Sequence, residues 1–160
     1  MTDAEFMALL AHFDRVRENE QATRGNPGPS ALLARTELLL TWRGSSYYHQ
    51  AALQISRAYH AALSYTLTGP AWVKTLAHFD GRCAYCDRPY QAFVFEHFRP
   101  HIMGGGFTAD NILPACACCN LSRRDRDVYE WAIDGRGRAL GVKPEALTKI
   151  DNWLSSCRGQ

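Results

Sequence analysis

Between Asp3 and about Arg24, apolar Phe6, Leu9, Leu10, Phe13 and Val16 return at steps of three and four residues. That is the period of a helix with one buried face, and Thr2 or Asp3 is placed to cap it. GNPGPS, residues 25–30, breaks the pattern. Ser30 can cap a second helix through Leu40 and Trp42. A third is expected from about Ser46 to Leu67, with Ala51, Ile55, Ala58, Ala62 and Tyr65 on its face, and Gly69–Pro70 ending it. AWVKTLAHFD reads as a short fourth helix. The texture then changes. GRCAYCDRPYQ is a turn-like knuckle, and AFVFEHF is aromatic and β-branched, as in a strand. IMGGGFTAD is a glycine-rich loop, and NILPAC a short strand. From Asn120 a polar, basic helix, LSRRDRDVYEWAI, is expected to run to the breaker DGRGRALG. PEALTKIDNWL forms the last helix, with Pro144 near its start, where a missing N–H costs little. These elements predict an α+β chain: a helical N-terminal region over 1–79, then residues 80–160 with a small two-stranded core and a C-terminal helix.

Composition narrows the setting. At 46% hydrophobic and 21% charged, the 160 residues are those of an ordinary globular chain. No apolar run reaches the roughly 18 residues that a membrane span needs. MTDAEFMALLAHFDRVRENE carries acids early and lacks the basic-then-apolar order of a secretory leader, so a cytoplasmic location is expected. In a reducing compartment, six cysteines point to metal ligands or free thiols rather than disulfides. The formal net charge is only +2, so contact with a polyanion must come from local clusters.

Cys83 and Cys86 form C-x2-C in GRCAYCDR, and Cys116 and Cys119 form a second in PACACCN. Two such knuckles supply four thiolates, a donor set suited to tetrahedral structural zinc. Cys118 either competes through C-x-C with Cys116 or is a small packed thiol. Matching the first knuckle favours Cys116 with Cys119. Cys157 has no partner at motif spacing and reads as a free thiol. Twenty-nine residues separate Cys86 from Cys116, more than a short zinc ribbon uses.

The insert between the knuckles holds VFEHFRPHIMGGGFTADNILP. Glu96 and His97 are adjacent near a strand end, where neighbours point to opposite faces unless the backbone twists. A carboxylate suits a magnesium-like cation. A neutral imidazole is a suitable proton acceptor near pH 7. The amide of Asn111, fourteen residues after His97, can orient the imidazole. Asn120, fixed by the second knuckle, offers a neutral oxygen ligand.

CAYC, EHFRPH, GGG, DNILPAC and CACCNLSRR in this order resemble the HNH, or ββα-metal, nucleases over roughly residues 80–131. EHFRP itself is similar to a subgroup that includes nucleases of bacterial anti-phage systems. The resemblance implies a zinc-stabilised ββα-metal nuclease core, with structural zinc on Cys83, Cys86, Cys116 and Cys119. It implies that Glu96 and Asn120 hold one catalytic divalent cation, magnesium or manganese. His97 would be the general base that activates water, and Asn111 would position its ring. Many family members have aspartate where Glu96 stands. The implied reaction is hydrolysis of DNA phosphodiester bonds to 5′-phosphate and 3′-hydroxyl ends.

The neighbours divide less cleanly. His101 is a substrate or second-layer contact, or a surface loop histidine. Arg99 touches a phosphate or pairs with an acid. Arg123 either contacts phosphate or joins Arg124, Asp125, Arg126 and Asp127 in a salt-bridged exposed face. Gly104, Gly105 and Gly106 allow a tight turn and close backbone approach. The helical N-terminal region would dock substrate or a partner protein. Two rivals to an autonomous endonuclease follow: a catalytically silent zinc-stabilised nucleic-acid-binding module, and an anti-phage effector subunit that acts only with a partner protein.

Overall fold

The computed structural model describes residues 29–159, with Ala4, Ala8 and Ala11, which are helical. The rest of the helix expected over 3–24 lies outside the described residues. The chain divides into two compact units, Met1–Glu37 and Leu38–Gln160. Among the described residues the elements are α1 (Pro29–Leu40), α2 (Tyr48–His60), α3 (Gly69–His78), β1 (Val94–His97), β2 (Ile112–Ala115), α4 (Ala117–Arg123), α5 (Val128–Ile133), α6 (Arg136–Ala139) and α7 (Pro144–Arg158). The fold is α+β, with helices around one small antiparallel sheet. No described helix is long and apolar enough to cross a membrane.

Helix α2 buries Ala51, Ala52, Ile55 and Ala58, a stripe at the helical period. It ends seven residues before the expected Leu67. Ala62 takes a left-handed backbone, φ 54°, a conformation that costs a non-glycine residue about 1–2 kcal/mol. The chain leaves the helix because Ser64–Leu67 pairs with Phe107: Phe107 N donates to Ser64 O at 2.8 Å and Leu67 N to Phe107 O at 3.1 Å. Gly69–Pro70 then opens α3 instead of ending α2. Thr68 Oγ1 accepts from Ala71 N at 3.2 Å, and proline is tolerated in the first turn, where no intrahelical donor is lost.

Strands β1 and β2 pair antiparallel, Val94 with Ala115 through His97 with Ile112. Phe95 leans on Trp42 (5.5 Å between ring centroids), Trp72 (4.7 Å) and Phe107 (5.1 Å), all in edge-on geometry. Each such pair contributes about 0.5–1.5 kcal/mol beyond the area it buries. This aromatic core ties β1 to the helical region, so α2, α3 and the sheet belong to one compact unit.

The basic helix expected from Asn120 to Ile133 is two helices. Arg124, at φ 55° and ψ −128°, breaks it after α4. Asp127 restarts it, its Oδ1 accepting from Tyr129 N at 2.9 Å and Glu130 N at 3.1 Å. The breaker expected at 134–141 contains the one-turn helix α6. Trp131 of α5 is fully buried, edge-on to Tyr85 at 5.3 Å. The last helix runs on to Arg158, burying Ile150 and Leu154.

Candidate active site and metal centre

The first knuckle is a short turn. Cys83 N donates to Arg88 O and Asp87 N to Cys83 O, both at 3.0 Å, and Ala84 N donates to Pro114 O at 2.8 Å, which fastens the turn to β2. The second knuckle is the start of α4: Cys116 caps the helix and Cys119 follows one turn on. Backbone N–H groups aim at sulfur, Cys116 N to Cys83 Sγ at 3.3 Å and Cys119 N to Cys116 Sγ at 3.5 Å. The four sulfurs of Cys83, Cys86, Cys116 and Cys119 lie within 4.8 Å of one another, and those of Cys86 and Cys116 are 3.9 Å apart. Tetrahedral Zn–S bonds of about 2.3 Å would set sulfurs about 3.8 Å apart, so the cage fits a zinc-sized ion.

The thiols already share charge unevenly. A hydrogen bond from the Cys119 thiol holds Cys83 down at about 5. Burial pushes Cys86 up to about 11, and the bond to Cys83, then burial, push Cys119 far above its usual range. A second thiolate is opposed by the first, and a bound cation would relieve that repulsion. Cys118 is exposed and Cys157 half-buried, and neither belongs to the cluster.

β1 carries Glu96 and His97 to its C-terminal end, and the alternation of the strand separates them. Glu96 is buried. Its Oε1 accepts from Arg123 Nη1 and from Tyr85 OH at 3.4 Å. Burial pushes the carboxyl up to about 7, against the pull of Arg123. Arg123 is 1% exposed and also donates to His97 O and Phe98 O, each at 2.6 Å. It therefore pins the end of β1 to α4 and lies within the fold, away from an exposed basic face. An i, i+4 step sets Arg123 on the helix face of buried Cys119, but nothing local in the chain points to its partner Glu96, 27 positions back.

His97 is half-buried and lines a cleft of about 410 Å³ with Glu96, His101 and Asn120. Burial first, then the charges of His101, Arg57 and Arg123, lower its pKa to about 4, so the ring is neutral at pH 7. The rings of His97 and His101 stand 6.0 Å apart, edge to face. Asn120, four residues before Arg124 on α4, presents a side-chain amide with no hydrogen bond to another described residue.

Asn111 works on the backbone. Its Oδ1 accepts from Arg99 N at 2.8 Å, and its Nδ2 donates to Gly106 O at 2.8 Å and Arg99 O at 3.2 Å. It thereby holds the loop that leaves β1, and its hydrogen bonds reach His97 only through that chain. Gly104 adopts φ 85°, and a Cβ on Gly105 would sit 1.8 Å from Arg99 O, so the loop closes only on glycine. Arg99 is exposed and lines a separate, wider hollow of about 1000 Å³ with Arg126 and Arg158.

The structure thus brings Glu96, His97, His101 and Asn120 to one cleft and sets Asn111 under its loop. The cleft also takes Arg124, read from the sequence as part of a salt-bridged face, and three residues of α2 that motif reading passed over: Gln50, Gln54 and Arg57. The polar stripe of α2 was visible as spacing, but nothing in the chain ties it to a histidine forty residues later.

Over 101 residues the chain is 26% identical to the "SPbeta prophage-derived putative HNH endonuclease YoqL" of Bacillus subtilis (strain 168). The match takes in 57% of this chain and 43% of that protein, so the chain spans less than half the length of this relative. No family model matches the chain, and no solved structure matches it significantly.

Proposed function

We propose that the protein is a metal-dependent HNH endonuclease that hydrolyses phosphodiester bonds in DNA. One observation carries this reading: a half-buried histidine, a carboxylate and an amide line one cleft where a two-stranded sheet meets a helix capped by a four-cysteine cage. Likeness to YoqL supports the nuclease class. The four cysteines would hold zinc, a structural role that suits a reducing cytoplasm.

Glu96 and Asn120 would hold the catalytic divalent cation, magnesium or manganese. Both hydrogen bonds to Glu96 fall on Oε1, and the Asn120 amide has no hydrogen-bond partner among the described residues, so hard oxygen donors remain for the cation. Arg123 pulls the Glu96 carboxyl toward its charged form, against burial, and fixes its direction, as a hydrogen-bonded partner does for a ligating carboxylate. A cation held there would supply Lewis-acid stabilisation of the charge that develops at the phosphate. His97 accepts the proton of the attacking water. Its neutral state at pH 7 leaves the ring free to do so, and a phosphodiester alongside would raise its basicity. Asn111 sets the loop after His97, and His101 stands beside the base.

A second reading, a nucleic-acid-binding module without turnover, draws on the Glu96–Arg123 pair, which already neutralises the carboxylate. Nicking of supercoiled plasmid in magnesium or manganese separates the two. The wild-type chain is expected to cut, and His97→Ala to cut at least about 100-fold more slowly. Equal cutting by His97→Ala would remove the base assignment; binding without cutting in any divalent ion would favour the module.

A further inference from the structure

The polar face of α2 reaches the cleft that holds His97. Gln50, Gln54 and Arg57 line it at steps of four and three residues, while Ala51, Ile55 and Ala58 on the other face are buried and hold the helix in place. Two polar atoms in this cleft are buried without a partner, Gln54 Oε1 and His101 Nε2. Leaving such a group unsatisfied costs about 1–3 kcal/mol, which a ligand with donors and acceptors would recover. The charges are also unbalanced. Arg123 offsets the charge of Glu96, which leaves Asp125 as the acid lining the cleft, unpaired among the described residues, against Arg57 and Arg124. Both arginines are exposed, and neither forms an ion pair among the described residues. Arg124 holds φ 55° and ψ −128°, a region that favours glycine, at a cost of about 1–3 kcal/mol. A glycine would fit that turn better, so the side chain has a use that offsets its backbone.

We infer that α2 completes the active site from outside the ββα core, with Arg57 and Arg124 binding the DNA phosphates that flank the scissile bond and Gln54 hydrogen-bonding the nucleotide between them. A guanidinium offers a planar fork of donors matched to phosphate oxygens. The Gln54 amide takes a base N–H on its oxygen or donates to the backbone from its nitrogen. The inference rests on the nuclease reading and adds to it a substrate clamp built from Gln54 and Arg57, ahead of His97 in the chain, and Arg124, behind it.

The test uses the full chain carrying His97→Ala, which should hold duplex DNA without cutting it, and reads fluorescence anisotropy of a labelled duplex oligonucleotide across a salt series. Adding Arg57→Ala should weaken binding about tenfold and reduce the slope of log affinity against log salt by about 1, and Arg57→Lys should restore most of the slope. Arg124→Gly should weaken binding similarly while leaving the melting temperature equal or higher, since glycine relaxes the turn. In the cutting protein, Arg57→Ala should raise KM more than it lowers kcat. Unchanged affinity and salt slope in both arginine variants, in a chain that still binds and cuts, would overturn the clamp and leave the nuclease intact. A wild-type chain that neither binds nor cuts DNA in magnesium or manganese would overturn the nuclease reading, and the clamp with it.

Discussion

Arg123 shows how a single side chain can change category between spacing and structure. In the chain it stands in a run of five charges, Arg123 to Asp127, and reads either as a phosphate contact or as part of a salt-bridged exposed face. In the fold it is 1% exposed and ties together Glu96, His97 O and Phe98 O. Removing one partner of a buried pair leaves an uncompensated charge, which typically costs 3–5 kcal/mol. Arg123→Ala is therefore expected to lower unfolding stability by about 3–5 kcal/mol in urea denaturation, whereas Arg126→Ala, at a half-exposed ion pair with Asp134, should cost less than about 1 kcal/mol. Similar losses for the two would mean the buried pair contributes nothing special. At this scale the clustering of Cys83, Cys86, Cys116 and Cys119 was legible, because two C-x2-C spacings restrict which sulfurs can converge. The environment of Arg123 was not, because its partner sits 27 positions back on another element.

Elements were legible where their signal is local and hidden where it is not. The buried stripe of α2 follows from its period, and the first strand from its aromatic and β-branched residues. The end of α2 does not, because Ala62 turns there to let Ser64–Leu67 meet Phe107, a contact more than forty residues away. Gly69–Pro70 was ambiguous for a physical reason: proline can follow one helix or open the next. The split between α4 and α5 depends on Arg124 at positive φ and on Asp127 as a new cap. Asp127→Ala should remove a cap that serves two backbone donors and destabilise the chain by about 1 kcal/mol, within a usual range of about 0.5–2. A urea midpoint unchanged by the substitution would show that Trp131 alone holds α5 in place.

For the molecule as a whole, the sheet is too small to stand by itself. Two strands of four residues are below what persists in water without further packing. The aromatic core on one side and the cysteine cage on the other supply that packing. Cys116→Ser is expected to abolish stoichiometric zinc by elemental analysis and lower the melting temperature. Cys118→Ser, exposed and outside the cage, should change neither. Equal zinc loss from both would defeat the ligand set. The α+β class followed from the change of texture near residue 80. The joining of α2 and α3 to the sheet in one compact unit needed the packing of Phe95, which spacing alone does not show.

Tyr85 lies inside the first knuckle, between Cys83 and Cys86, while its hydroxyl reaches Glu96. Asn120 sits directly behind the last cysteine of the second. Both proposed cation ligands thus lean on the sulfur cage, one through a phenol and one through the chain. The tryptophan and phenylalanine cluster that anchors β1 does not. Stripped of zinc, the protein should blunt before it melts: an oxidised or chelated population would pass as folded by its aromatic fluorescence yet no longer cut. Damage would then silence the proposed nuclease ahead of aggregation, and zinc, added after a thiol reductant where the cage is oxidised, should restore cutting without refolding the whole chain.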